Sequence, residues 1–139
     1  MADTSVLFVC VSNAGKSVMA AGLMSQAAAP NIHVASAGTH AKTAVNALSA
    51  QVLAEVGVDI STHQPVQLTE QMIDDADLVV IVGSQAHLDE EHAGTRIRRW
   101  DTDEPSLRGI DGTERMRIIR DDINTRVQAL AAELADQAF

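Results

Sequence analysis

Short, wholly apolar runs alternate along this chain with longer stretches in which apolar residues recur every three or four positions. Val6-Leu7-Phe8-Val9 is a continuous apolar run, the pattern of a strand buried on both faces in a parallel sheet under helices. Residues 17–28 are rich in Ala, Met and Leu, carry no charge and end before Pro30, which predicts a largely covered helix. Ile32-His33-Val34-Ala35 reads as a second short strand, closing at Ser36-Ala37-Gly38. Within 46–56, Leu48, Val52 and Val56 fall at helical spacing, and Gly57 suits the position just past a helix end. Thr69 can cap a third helix running to about Asp75, with Met72, Ile73 and Ala76 turned inward. Leu78-Val79-Val80-Ile81-Val82 is the strongest strand, and Arg96 to Trp100 is a weaker one suited to a sheet edge. From about Thr113, Met116, Ile119, Ile123, Val127, Leu130 and Leu134 form an amphipathic stripe, with Arg115, Arg117, Arg120, Asp121, Asp122 and Glu133 between them.

The resulting order, β-α-β-α-α-β-β-α, predicts an α/β fold: a small four-stranded parallel sheet with helices on both faces, a three-layer sandwich. No linker, repeat or low-complexity segment interrupts it, so residues 1–139 read as a single domain.

Composition narrows the function. Hydrophobic residues make up 46% and charged residues 21%, as in an ordinary globular chain, but aromatics are only 2%, so the core must be aliphatic. The formal net charge of −9 and the scarcity of stacking side chains argue against nucleic acid and against an anionic membrane as partners. A small anion is still permitted, because a short loop of backbone amides binds one whatever the net charge. The single cysteine allows no intramolecular disulfide. The N-terminal residues lack the basic segment of a signal peptide, and no apolar run approaches the roughly 20 residues of a membrane span. These features predict a cytoplasmic protein.

That cysteine is placed for chemistry. Cys10 ends the first buried strand, and Val11-Ser12-Asn13-Ala14-Gly15-Lys16-Ser17 leads from it into the first helix. Ligands of open α/β sheets bind at the carboxyl ends of the strands. Consecutive amides of such a loop, with the helix N-terminus behind them, make a cradle for a tetrahedral oxyanion, and the same field favours the thiolate. Val11, Ser12, Asn13, Ala14, Gly15 and Lys16 are the expected oxyanion-binding residues. Gly15 gives the turn backbone freedom, and Lys16 brings a full positive charge.

The stretch Val6 to Ser17 resembles the signature of the low-molecular-weight tyrosine phosphatase superfamily, which includes arsenate reductases: Cys, five residues, Arg, then Ser or Thr. The resemblance continues through Ser36-Ala37-Gly38-Thr39, through Val56-Gly57-Val58-Asp59-Ile60 with His63, and through Asp101-Thr102-Asp103-Glu104-Pro105. It implies that Ser17 donates to the Cys10 sulfur, that Asn13 shapes the loop in a left-handed conformation, and that Ser36 and His63 brace it. By itself, Ser17 would also serve as a helix N-cap. The family's acid directly precedes the proline, which selects Glu104, whereas Asp103 matches its carboxylate type; both are candidates for the proton donor.

Three departures place the chain within the superfamily. The loop ends in Lys16, a point charge in place of the planar Arg fork. No second cysteine exists for a disulfide relay. No tyrosine follows the acidic loop to grip an aromatic ring. With Glu114 to Asp121 in the last helix, this combination resembles the mycothiol-dependent arsenate reductases. It implies that arsenate is joined to mycothiol as co-substrate, with no bound cofactor, and that a mycoredoxin then releases arsenite. A phosphatase acting through a Cys10 phosphocysteine and an inactive oxyanion-binding module are the alternatives. His87 and His92 flank Asp89-Glu90-Glu91, which reads as a solvated acidic loop, so no metal site is expected. Arg96, Arg98 and Arg99 read as a solvated edge strand or, alternatively, as a hold for the thiol.

Overall fold

A computed structural model describes residues 3–88 and 96–136. Four strands, β1 (Thr4–Cys10), β2 (Ile32–Gly38), β3 (Leu78–Val82) and β4 (Arg96–Trp100), form one sheet in the order β2-β1-β3-β4. All three pairings are parallel. The four helices are α1 (Lys16–Ala27), α2 (Ala47–Ala54), α3 (Glu70–Asp75) and α4 (Gly112–Asp136), with a 3-10 turn at Pro105–Arg108. The expected α/β sandwich is therefore the observed one, with β4 at a sheet edge.

The period-two rule of strands divides the core. Val6, Phe8, Leu78, Val80 and Val82 face one side, where α1, α2 and α4 pack over them through Met19, Leu23, Val52, Leu53, Ile119 and Ile123. Leu7, Val9 and Val79 face the other, against Ile73 and Ala76 at the end of α3. Both sides are aliphatic apart from Phe8 and Trp100, whose ring centroids lie 5.5 Å apart. Fully burying a side chain such as Met19 or Met24 contributes roughly 1.5–3 kcal/mol, so α1 is held chiefly by its apolar contacts.

The inward face of α2 differs from the expected one. Leu48 and Val56 are 36% and 41% exposed, while Ser49, Val52 and Leu53 are buried. The helix ends at Ala54, which leaves Val56 in the following turn before Gly57 at φ 82°. Ser49 takes the inward place at the start of α2 and hydrogen-bonds the cap residue Asn46, whose side chain accepts from the Ser49 N–H at 2.9 Å. The end of α2 is tied to α4 by Glu55, which pairs with Arg117 and Arg120. Those hydrogen bonds, that from Arg117 first, pull the Glu55 carboxyl down to about 2.

Because the strands are parallel, their carboxyl ends lie along one edge of the sheet. Cys10 is there beside Gly38, with Val82 and Trp100 ending β3 and β4. No helix among the described residues is long and apolar enough to cross a membrane.

Candidate active site

The Cys10 loop is formed from outside. Thr39 N–H donates to the Cys10 carbonyl at 3.0 Å, His40 to Val11 at 2.8 Å, Lys42 to Ser12 at 2.9 Å and Asn46 to Ala14 at 2.8 Å. The segment between β2 and α2 thus takes the loop's carbonyls in sequence. In a trans peptide the C=O and the following N–H point opposite ways, and the described chain has no cis peptide. The N–H groups of Val11, Ser12, Asn13 and Gly15 therefore point away from that segment, toward the concave side. Asn13 N–H does reach inward, to the Cys10 sulfur at 3.3 Å. An inward-facing row of amides is an anion cradle.

Gly38 makes this wrapping possible. A Cβ there would lie 2.6 Å from the Val11 carbonyl oxygen and 2.8 Å from Asn13 N. The sequence marks Gly38 as a strand end and as part of a segment resembling the family; its role depends on how closely the loop passes over it.

A chain of hydrogen bonds fixes the thiol. Asn13 is buried, with φ 49°, the left-handed conformation expected of it. Val66 N–H, which can only donate, reaches Asn13 Oδ1 at 2.8 Å and so fixes the orientation of the amide. His63 Nε2 lies 2.9 Å from the same oxygen and must carry its proton there. Burial, partly opposed by this bond, shifts the His63 pKa below its ordinary value and favours the neutral ring. Asn13 Nδ2 then donates to Ser17 Oγ at 2.9 Å, which leaves the Ser17 hydroxyl proton for the Cys10 sulfur at 3.0 Å. The sulfur accepts two hydrogen bonds, the arrangement a thiolate needs.

Two expected roles change. Helix α1 begins at Lys16 with Gly15 as its cap residue, so Ser17 lies inside the first turn, bonded to the sulfur, and is not the N-cap. Ser36 is buried opposite Phe8 on β2, but among the described residues Asn13 is held by His63 and Val66, and Ser36 makes no hydrogen bond to it. Strand alternation puts Ser36 in a hollow lined also by Val18 and His63. Gly15 caps the helix at φ −134° and ψ −96°, outside the regular helical and extended regions, and Asn13 makes the left-handed turn expected of it.

The two candidate acids separate. Glu104 pairs with Lys16 Nζ. Asp103 turns to Arg108, accepting at 2.7 and 3.0 Å, which lowers its pKa and occupies both oxygens. Lys16 runs past Gly83, whose φ is 94° and where a Cβ would stand 3.1 Å from Nζ. Around the loop opens a cleft of about 420 Å³, walled by Lys42, Asn46 and Ser49, by Val82 to Ala86, and by Arg115, Met116 and Ile119 of α4. Neither Lys42 nor Arg115 was singled out for the site from sequence, since each reads as an ordinary surface cation.

The basic strand is used structurally. Arg99 donates to the carbonyls of Gly83 and Ala86, both at 2.7 Å, and so pins the loop that walls the cleft; Arg98 pairs with Glu133. His87 is exposed, and Asp89 to His92 lie outside the described residues. Among the described residues no group of three or more His, Cys, Asp or Glu is placed to hold a metal ion.

Known proteins share this architecture. Residues 5–138 match the family model for low molecular weight phosphotyrosine protein phosphatase. A putative arsenate reductase of Halobacterium salinarum is 32% identical over 132 residues, covering 91% of this chain and 89% of that protein. The arsenate reductase of Staphylococcus aureus strain Newman is 31% identical, covering 92% and 96%. The structure of a thioredoxin-dependent arsenate reductase of Corynebacterium glutamicum superposes with a TM-score of 0.80 at 30% identity, over 96% of this chain; this chain spans 63% of that one. None of the three is described as mycothiol-dependent and one is thioredoxin-dependent, so the mycothiol branch has only this chain's own residues behind it. With nearly the whole chain matched and the loop, strand order and hydrogen-bonded thiol in place, this chain belongs to the low molecular weight phosphotyrosine protein phosphatase family.

Proposed function

We propose that this protein is an arsenate reductase of the thiol-transfer type, with mycothiol as co-substrate and a mycoredoxin as the later reductant. One observation carries the reading: the thiol held at the anion cradle is the only one in the chain. Reduction of arsenic(V) needs two electrons, and a chain with one cysteine cannot supply them by closing a disulfide within itself. The relatives named as arsenate reductases support the choice of arsenate.

In the proposed sequence the loop amides and Lys16 hold arsenate, and the Cys10 thiolate attacks arsenic. An S–As bond forms, an As–O bond breaks, and the departing oxygen leaves as water with a proton from Glu104, which takes one up from solvent once Lys16 leaves it for the arsenate. The mycothiol thiolate then attacks arsenic and Cys10 departs, regaining its hydrogen bonds from Ser17 and Asn13. Arsenic is still pentavalent in the released adduct. A mycoredoxin thiolate attacks the adduct's sulfur, the S–As electron pair stays on arsenic, and arsenite leaves with a mixed disulfide. His63 and Asn13 act by positioning Ser17, and Asp103 by fixing the acidic loop through Arg108.

The test is arsenate reduction by the purified protein with mycothiol and mycoredoxin, against thioredoxin alone. Turnover that needs mycothiol supports the proposal; equal turnover with thioredoxin alone overturns it. Fast hydrolysis of an aryl phosphate through a phosphocysteine would favour the phosphatase reading, and oxyanion binding without turnover in any thiol system would favour an inactive module.

A further inference from the structure

Two cations line the cleft with no oxygen partner for their side chains among the described residues. Lys42 belongs to the segment that wraps the Cys10 loop, and Arg115 to the first turn of α4. In a chain with 19 acidic residues and 10 lysines and arginines, a half-buried arginine without an oxygen partner is unexpected. Arg98, Arg99, Arg108, Arg117, Arg120 and Arg126 each donate to a carboxylate or carbonyl oxygen. Arg115 instead directs Nη1 at the Met116 sulfur, 3.5 Å away, and its Nε is buried with no acceptor. Thioether sulfur is a weak acceptor. A cation in the first turn of a helix also opposes the helix dipole. Arg115's placement does not benefit the isolated fold and points to a ligand, with the exposed Lys42 across the cleft as a second cation within its reach.

The oxyanion does not require Arg115, since the loop from Val11 to Gly15 and Lys16 already line its position. The cleft is larger than one tetrahedral anion: about 420 Å³ falls within the roughly 300–1,000 Å³ typical of sites for small organic ligands. We propose that Arg115, with Lys42, forms the subsite for the non-reacting part of the low-molecular-weight thiol, the guanidinium donating to its carbonyl, carboxylate or hydroxyl oxygens. This rests on the thiol-transfer reading. It adds where on this chain the second reactant is held.

The test is calorimetric titration of the intact protein, in phosphate, with S-methyl mycothiol and with S-methylglutathione, thioethers whose sulfur cannot react. Binding of either, weakened at least tenfold by Arg115→Gln and less by Arg115→Lys, with phosphate affinity changed less than twofold, supports the subsite. Circular dichroism checks the fold, and if Arg115→Gln does not fold, a twofold or greater loss in Arg115→Lys decides. The proposal is overturned if neither thioether binds the wild type, if binding ignores the substitutions, or if phosphate affinity falls tenfold instead. Turnover is not needed for this readout, so failure of arsenate reduction would count against the function and leave the subsite to be decided by binding.

Discussion

Asn13 is the residue on which the thiol's geometry depends, and its replacement can be worked through quantitatively. Its side chain makes three hydrogen bonds, to Ser17, His63 and Val66, and its backbone is left-handed. Asn13→Gly removes the three bonds and keeps the backbone free to adopt φ 49°. At about 1 kcal/mol net per hydrogen bond the loss is roughly 2–4 kcal/mol, the Val66 and His63 donors being near enough to solvent to recover water. Asn13→Ala loses the same bonds and adds about 1 kcal/mol for a Cβ in the left-handed region. Urea unfolding followed by circular dichroism should therefore order the stabilities as wild type, then Asn13→Gly, then Asn13→Ala. At roughly 2–4 °C per kcal/mol for a domain near this size, Tm should fall by about 5–15 °C. Turnover should fall more steeply than stability, because Ser17 loses the partner that turns its proton toward Cys10. An Asn13→Gly protein within 0.5 kcal/mol (about the error of such a comparison) of the wild type would refute the claim that Asn13 holds the loop.

Three further outcomes follow from the same structure. Gly38→Ala, which drives a Cβ into the Val11 carbonyl, should move the loop and abolish turnover while the sheet still folds; an active Gly38→Ala enzyme would contradict the close passage. Lys16→Arg should raise aryl phosphate hydrolysis, because a planar fork holds two oxygens of a phosphoryl group, and no gain in a steady-state assay would count against the account of Lys16. Glu55, whose folded pKa of about 2 lies below the ordinary 4.5, contributes stability that is complete above pH 4.5 and lost as the pH falls toward 2. Acid unfolding of Glu55→Gln should accordingly be flatter than that of the wild type across this window, and parallel curves would remove Glu55 from the stabilising set.

Much of the fold could be read from periodicity because the strands are buried on both faces and the last helix carries a clean stripe. The inward face of α2 could not: Ser49 displaces an apolar residue because the cleft lies next to it, a tertiary fact with no local pattern. The loop was legible because its chemistry is contiguous, from Cys10 to Ser17. Its support was not, since Val66 contributes a backbone N–H that any residue could supply. Gly38 looks like any strand-end glycine until the loop passes over it. Arg115 looks like a polar position on an amphipathic helix, and only the cleft and its unpaired Nε distinguish it. Ser36 was placed by resemblance, and the pleat of β2 directs it elsewhere.

The central claim is that Cys10 passes arsenic to an external thiol. Mass spectrometry of the intact protein and of the small-molecule fraction, with arsenate before and after mycothiol is added, tests it most directly. The account predicts an arsenic-bearing protein species that Cys10→Ser lacks, followed by its loss as a free mycothiol–arsenic adduct appears. Formation of that adduct by Cys10→Ser at the wild-type rate would contradict it.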